Sequence, residues 1–179
     1  MFDFEAHLAN IVEYLRGEFS SVPTVEEYPR LRKKITVPAV LVEVADLSPI
    51  DDPGTEQLAL SARIEARVVF DEAPTRPGGK PDMQCLSLAT AVAQALFRQG
   101  RFGVPGAGPA KDFKLEPDRF KPELATYCVW LVEWSHDIRL GVSVWDSAGI
   151  LPTSIYLGYA PEIGPPHLDD YVHLGDLDG

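Results

Sequence analysis

The sequence predicts an α+β fold: a twisted antiparallel sheet of three to five strands, two amphipathic helices packed on one face, and an extended C-terminal arm. Three observations predict it. Leu58 to Asp71 alternates Leu58, Leu60, Ala62, Ile64, Ala66, Val68 and Phe70 with Ser61, Arg63, Glu65, Arg67 and Asp71, which is the period of a half-buried strand. Phe4 to Phe19 and Asp82 to Gln99 instead repeat apolar residues at helical spacing. After Arg139 there is no Lys or Arg, yet the proline-broken segment holds Trp145, Ile155, Tyr156, Leu157 and Tyr159. A disordered acidic tail rarely carries so many large apolar groups. The expected organisation is a core domain over 1–139 and an acidic arm over 140–179 that packs on something, a second copy of the chain being one candidate.

In chain order, Asp3 can N-cap the first helix, with Glu5 well placed in its first turn. Its apolar stripe is Phe4, Leu8, Ile11, Leu15 and Phe19, and Ser20, Ser21 and Pro23 stop it. Val22 to Lys34 predicts a short strand and then a loop with the basic run Arg30, Arg32, Lys33 and Lys34. That run is either solvated or a contact to an acidic surface on a partner or a neighbouring copy. Pro38 to Leu47 predicts a strand buried on most of both faces, interrupted by Glu43. A loop rich in Asp, Pro and Gly then joins it to Leu58–Asp71 as a long-looped antiparallel hairpin. Asp82 can N-cap the second helix, whose expected buried face is Leu86, Leu88, Ala89, Val92, Ala93, Leu96 and Phe97. Gly100 is a plausible stop. A short strand is expected around Phe113 to Leu115, and a long one from Tyr127. In the long strand Cys128, Trp130, Val132 and Trp134 share one face, and Tyr127, Val129 and Leu131 the other.

The chain has 179 residues, 45% of them hydrophobic, and a formal charge of −11. That balance argues against sequence-independent nucleic-acid binding, which needs a net basic face. Cys85 and Cys128 are far apart in sequence, so neither a zinc site nor a disulfide framework is expected. No apolar run is long enough for a membrane span. The acidic start, with no basic n-region, is unlike a secretory signal, so a reducing cytoplasm is the expected place of synthesis.

Candidate chemistry is sparse. GVPGAGPAK at 103–111 lacks the GK[ST] ending of a phosphate loop, and its prolines remove N–H donors. His167, Asp169, Asp170 and His173 form the most metal-like cluster, but without helical spacing of the two histidines. His136 and Asp137 are strand neighbours and point to opposite faces. No catalytic residue, metal or cofactor is expected.

Three strings, VPAVLVEVADLSP at 37–49, LALSARIEARVVFD at 58–71 and above all LPTSIYLGYAPEIGPPHLDDYVHL at 151–174, resemble the tail-terminator family of Mu-like contractile-tail bacteriophages and prophages. The resemblance covers most of the chain. It implies a structural virion protein, not an enzyme: a homo-hexameric ring on the head-proximal end of the tail tube. Such a ring stops tube elongation and provides the head–tail joining interface. The implied partners are other copies of the chain, the tube and possibly the sheath protein, and a head connector or neck protein. DNA would pass through without being specifically bound, and no membrane is involved. The family's C-terminal string falls on Pro161, Glu162, Ile163, Gly164, His167, Asp170 and Tyr171. These residues with Asp169, the basic run at 30–34, and Arg63, Glu65 and Arg67 are the candidate interface residues. The charged strand face is the expected acceptor for a neighbour's acidic arm. Another phage neck or baseplate adaptor is the main alternative reading, and a small metal-dependent enzyme using the His/Asp cluster is a remote one.

Overall fold

A computed structural model describes residues 2–28, 35–51, 54–72, 80–118, 124, 126–146 and 154–176. Two units are resolved by their internal contacts, Met1–Ser143 and Val144–Gly179, so the first unit runs four residues past the expected boundary at 139.

The first unit is built from helix α1 (Phe4–Glu18), strands β1 (Thr24–Glu27), β2 (Ala39–Pro49) and β3 (Leu58–Asp71), helix α2 (Pro81–Gln99), and strands β4 (Lys111–Pro117) and β5 (Tyr127–Leu140). The strands form one sheet in the order β1-β2-β3-β5-β4. All pairings are antiparallel except β1 with β2. The sheet is therefore mixed, not antiparallel throughout. The parallel edge arises because β1 returns alongside β2 instead of turning back on it, a long-range choice that strand periodicity does not encode.

β3 is the centre of the sheet, paired along its whole length with β5 and over ten positions with β2. Its even-numbered face meets both helices. Ile64, Ala66 and Val68 pack there with Ile11, Val12 and Leu15 of α1, with Cys85, Ala89, Val92 and Leu96 of α2, and with Val40, Val42, Val132 and Trp134. The opposite face holds a smaller cluster, Ala39, Leu41, Val69, Leu124 and Val129, which is why β2 carries consecutive apolar residues. Asp3 caps α1 by accepting from the Ala6 N–H at 2.9 Å. The buried stripe of α1 is His7, Ile11, Val12 and Leu15, with Phe4, Leu8 and Phe19 at its margins.

Helix α2 departs from expectation at both ends. Lys80 occupies the N-cap without a side-chain bond and Pro81 opens the helix. Asp82 thus lies in the first turn, where its Oδ1 accepts from the Cys128 thiol at 3.0 Å. Phe97 is exposed, although its ring meets the edge of Phe113 at 6.1 Å. Gly100, at φ +66°, ends the helix with its N–H on the Leu96 carbonyl, the role the sequence assigns it.

The second unit contains a 3-10 turn at Val144–Asp146, strand β6 (Ser154–Leu157), a 3-10 segment at Pro165–Asp170 and strand β7 (Val172–Asp176). β6 and β7 pair antiparallel with a bulge after Ile155. The arm is therefore a small hairpin, where the sequence pattern gave one short strand.

Candidate functional site

The charged face of β3 is the first candidate surface. Glu43, Glu65 and Glu133 stand directly opposite one another on β2, β3 and β5. Three adjacent carboxylates repel, and two arginines of β3 hold them. Arg63 Nη1 donates to Glu65 at 2.8 Å and to Glu133 at 2.9 Å. Arg67 donates to Glu65 at 2.5 Å, to Asp118 at 2.7 Å and also to Glu43. Its guanidinium also lies 5.3 Å from the centre of the Tyr28 ring, a cation–π contact.

Glu65 is 7% exposed and Arg67 4%. The expectation that Arg63, Glu65 and Arg67 form an open face is thereby corrected. The carboxylates that meet them belong to the same chain, and only Arg63 keeps substantial exposure. Arg30, Arg32, Lys33 and Lys34 lie outside the described residues.

A second cluster is buried under α1. His7 is 2% exposed, and neither ring nitrogen has a hydrogen-bond partner among the described residues. Its ring meets those of Phe2, Phe102 and His136 edge-on, at 5.4, 6.1 and 4.8 Å. His136 Nε2 accepts from the Trp134 indole at 3.0 Å, so its Nδ1 carries the proton and donates to the Gly108 carbonyl at 2.9 Å. Burial, then the neighbouring His136, lowers the His7 pKa to about 4; burial also lowers that of His136. Asp137, next in sequence, turns away to Lys111 at 2.8 Å, so the pair forms no dyad. His7 lies beside the apolar stripe of Phe4, Leu8, Ile11, Leu15 and Phe19, and as a polar residue it carries no hydrophobic signal that marks it as buried.

The thiols show no activation. Burial pushes Cys85 up to about 11. Cys128 is also raised, by burial and then by its bond to Asp82. Both favour the unreactive thiol over the thiolate. Cys128 lines a cleft of about 750 Å³ with Tyr127, Val129, Trp130, Pro117 and the carboxylates Glu72, Asp82 and Asp118. Asp118 is committed to Arg67.

The glycine-rich loop after α2 binds the sheet. The Gly108 N–H donates to the Asp137 carbonyl at 2.7 Å and the Arg139 N–H to the Gly106 carbonyl at 3.1 Å. A Cβ on either glycine would lie 3.2–3.3 Å from a β5 carbonyl, so this close approach favours glycine.

The C-terminal string folds around Tyr171. Its hydroxyl accepts the Gly164 N–H at 2.9 Å, and its ring covers Gly158, where a Cβ would meet it at 2.8 Å. Gly164 sits at φ +97°, ψ −178°, a conformation open essentially to glycine alone. Ile163 donates its N–H to the Pro161 carbonyl, and His167 to that of Gly164. The side chains of His167 and Asp170 meet at 3.1 Å, whereas His173 meets Asp176 at 3.0 Å. The two imidazoles thus engage different carboxylates, and no metal-holding group occurs among the described residues. Glu162 and Asp169 are exposed. Within this unit no described residue is buried, while Ile155, Tyr156, Leu157, Tyr159, Ile163, Leu168, Val172 and Leu174 are all exposed.

No helix among the described residues is long and apolar enough to cross a membrane. No family model matches this chain, and no curated protein matches it.

Proposed function

We propose that this protein is a structural component of a contractile bacteriophage or prophage tail: a tail terminator, acting as a homo-hexameric ring at the head-proximal end of the tube. There it would stop tube elongation and present a joining surface to the head connector or neck protein. The observation that carries the reading is the second unit. It contains the most specific resembling string, and it orders a glycine- and tyrosine-pinned loop without burying one described side chain. A two-stranded hairpin with no core is marginal by itself in water. A chain that specifies its loop while leaving its apolar side chains uncovered suits assembly with another surface.

A closed ring is a head-to-tail assembly and needs two different patches on each subunit. The net charge of −11 also suits a channel that passes DNA without holding it, because an acidic lining repels phosphates. In this reading the protein is made in the host cytoplasm and ends in the virion tail.

The test is electron microscopy of tail tubes assembled with tagged protein. The expected result is label on the head-proximal end and tubes of defined length. Label at the opposite end would reassign the protein to a baseplate adaptor, and no label on tails would sink the reading.

A further inference from the structure

The first turn of α2 meets the start of β5 and brings two thiols together. Asp82 and Cys85 are three residues apart on the helix, so they share a face. Asp82 Oδ1 accepts from the Cys128 thiol at 3.0 Å. Cys85 Sγ lies 3.1 Å from the Val68 carbonyl and 3.6 Å from the carbonyl of Cys128 itself. The two thiols also reach each other through a side-chain hydrogen bond. They are 43 residues apart in sequence, and both are free thiols.

The pair is asymmetric. Cys85 is fully buried, whereas Cys128 is half-buried and lines the cleft with Tyr127 and Trp130. A reagent in the cleft therefore meets Cys128 first, with Cys85 behind it. The carboxylates Glu72, Asp82 and Asp118 border the same cleft, so it admits a neutral or cationic reagent more readily than an anionic one.

We propose that Cys85 and Cys128 are a site of reversible oxidation, at which a small-molecule disulfide closes a covalent bond between α2 and β5. In the first step the Cys128 thiolate, its proton released to water, attacks one sulfur of the reagent. The reagent's S–S bond breaks, a mixed disulfide forms on Cys128, and one thiolate leaves and takes up a proton. With its S–H gone, Cys128 no longer binds Asp82. In the second step the Cys85 thiolate, its proton also released, attacks Cys128 Sγ. The Cys85–Cys128 bond forms, the mixed disulfide breaks, and the second half of the reagent leaves as a thiol. The protein gives up two electrons and two protons, and the reagent is reduced to two thiols. Asp82 acts as a brake on the first step. After burial itself, its hydrogen bond is the largest cause keeping Cys128 protonated, and only the thiolate attacks. Closure ties the first turn of α2 to the sheet and restricts the unfolded chain between the two cysteines.

The test treats the native full-length protein with excess hydroxyethyl disulfide, a neutral reagent, and follows intact mass, peptide maps and thermal unfolding. The expected product is two hydrogen atoms lighter than the starting protein, carries no reagent, and joins the Cys85 and Cys128 peptides. Its thermal midpoint should rise by about 5 °C or more, and dithiothreitol should reverse both changes. Cys85→Ala should stop at the mixed disulfide on Cys128, with no rise above its own untreated midpoint. Cys128→Ser, at the half-buried position, should leave Cys85 unmodified. Asp82→Asn should speed closure about threefold or more.

Native protein that accumulates the Cys128 adduct while Cys85 stays free would overturn the pairing, as would protein that does not react at all. A cross-link that forms only in denaturant would overturn it too, because the fold would then not be what brings the thiols together. An unchanged rate in Asp82→Asn would overturn the braking role of that carboxylate.

Discussion

The two units of this chain treat apolar side chains in opposite ways. In the first, strand β3 places Ile64, Ala66, Val68 and Val69 at full burial between two packed layers. In the second, strands β6 and β7 expose Ile155, Leu157, Val172 and Leu174. The alternating residues are of the same kind. The difference lies in what covers them: two helices in one case, nothing from within the described unit in the other. The first unit is stable through its own core. The second buries no described side chain, and its loop is specified by backbone geometry at Gly164 and by the Tyr171 hydroxyl. The comparison can be attacked from either side.

The largest effect is expected at Trp134, which is fully buried, stacked on Phe113 and bonded to His136. Trp134→Ala should destabilise the first unit by about 3–5 kcal/mol, read as a lower denaturant midpoint. A change below about 1 kcal/mol would mean that the helix–sheet core is not what holds this unit.

Arg67 tests the charged face in the same way. Arg67→Met leaves Glu43, Glu65 and Asp118 clustered without their cation, and breaking such a buried pair costs about 3–5 kcal/mol. Assembly defects in this variant should follow its loss of stability. If the variant is as stable as wild type yet fails to assemble, the face is an interface after all.

Acid should loosen the first unit through His7. Its pKa in the fold, about 4, lies below the ordinary value near 6.5, so protons bind the unfolded chain more tightly. Stability is full above the ordinary value and falls as the pH drops toward the folded value, by on the order of 2–3 kcal/mol. His7→Phe keeps a ring among Phe2, Phe102 and His136 and removes the charge. It should flatten the pH dependence of the unfolding midpoint between about pH 6.5 and 4. An unchanged slope would assign the acid sensitivity to other groups.

These residues also show what was legible in the sequence. The strand alternation of 58–71, the Asp3 cap and the Gly100 stop rest on neighbours a few residues apart, and the fold uses them as the sequence implies. The burial of Arg67 leaves no local signal because its partners Glu43 and Asp118 are 24 and 51 residues away. A charged residue on a strand's polar face looks the same whether water or a distant carboxylate meets it. Asp82 lies two positions inside the expected cap because Pro81, an excellent first helical residue, moves the cap back to Lys80. The parallel β1 edge depends on tertiary pairing and leaves no local mark. In the arm, the prolines mark an extended segment without a long helix, but the roles of Gly158 and Gly164 emerge only when the Tyr171 ring and hydroxyl are in place.

The smallest effect, and the most informative for the second unit, is expected at Gly164. With φ at +97° and ψ near 180°, a Cβ there costs about 1–3 kcal/mol, and the N–H that reaches the Tyr171 hydroxyl would be pulled off line. None of the buried clusters among the described residues includes a residue of this loop, so Gly164→Ala should leave the melting of Met1–Ser143 unchanged. Hydrogen exchange should accelerate between Gly158 and Tyr171, and assembly should weaken. Unaltered exchange in the loop would mean that the glycine is not what fixes it. A fall in the main unfolding transition would mean that the arm is part of the core, and the contrast between the units would collapse.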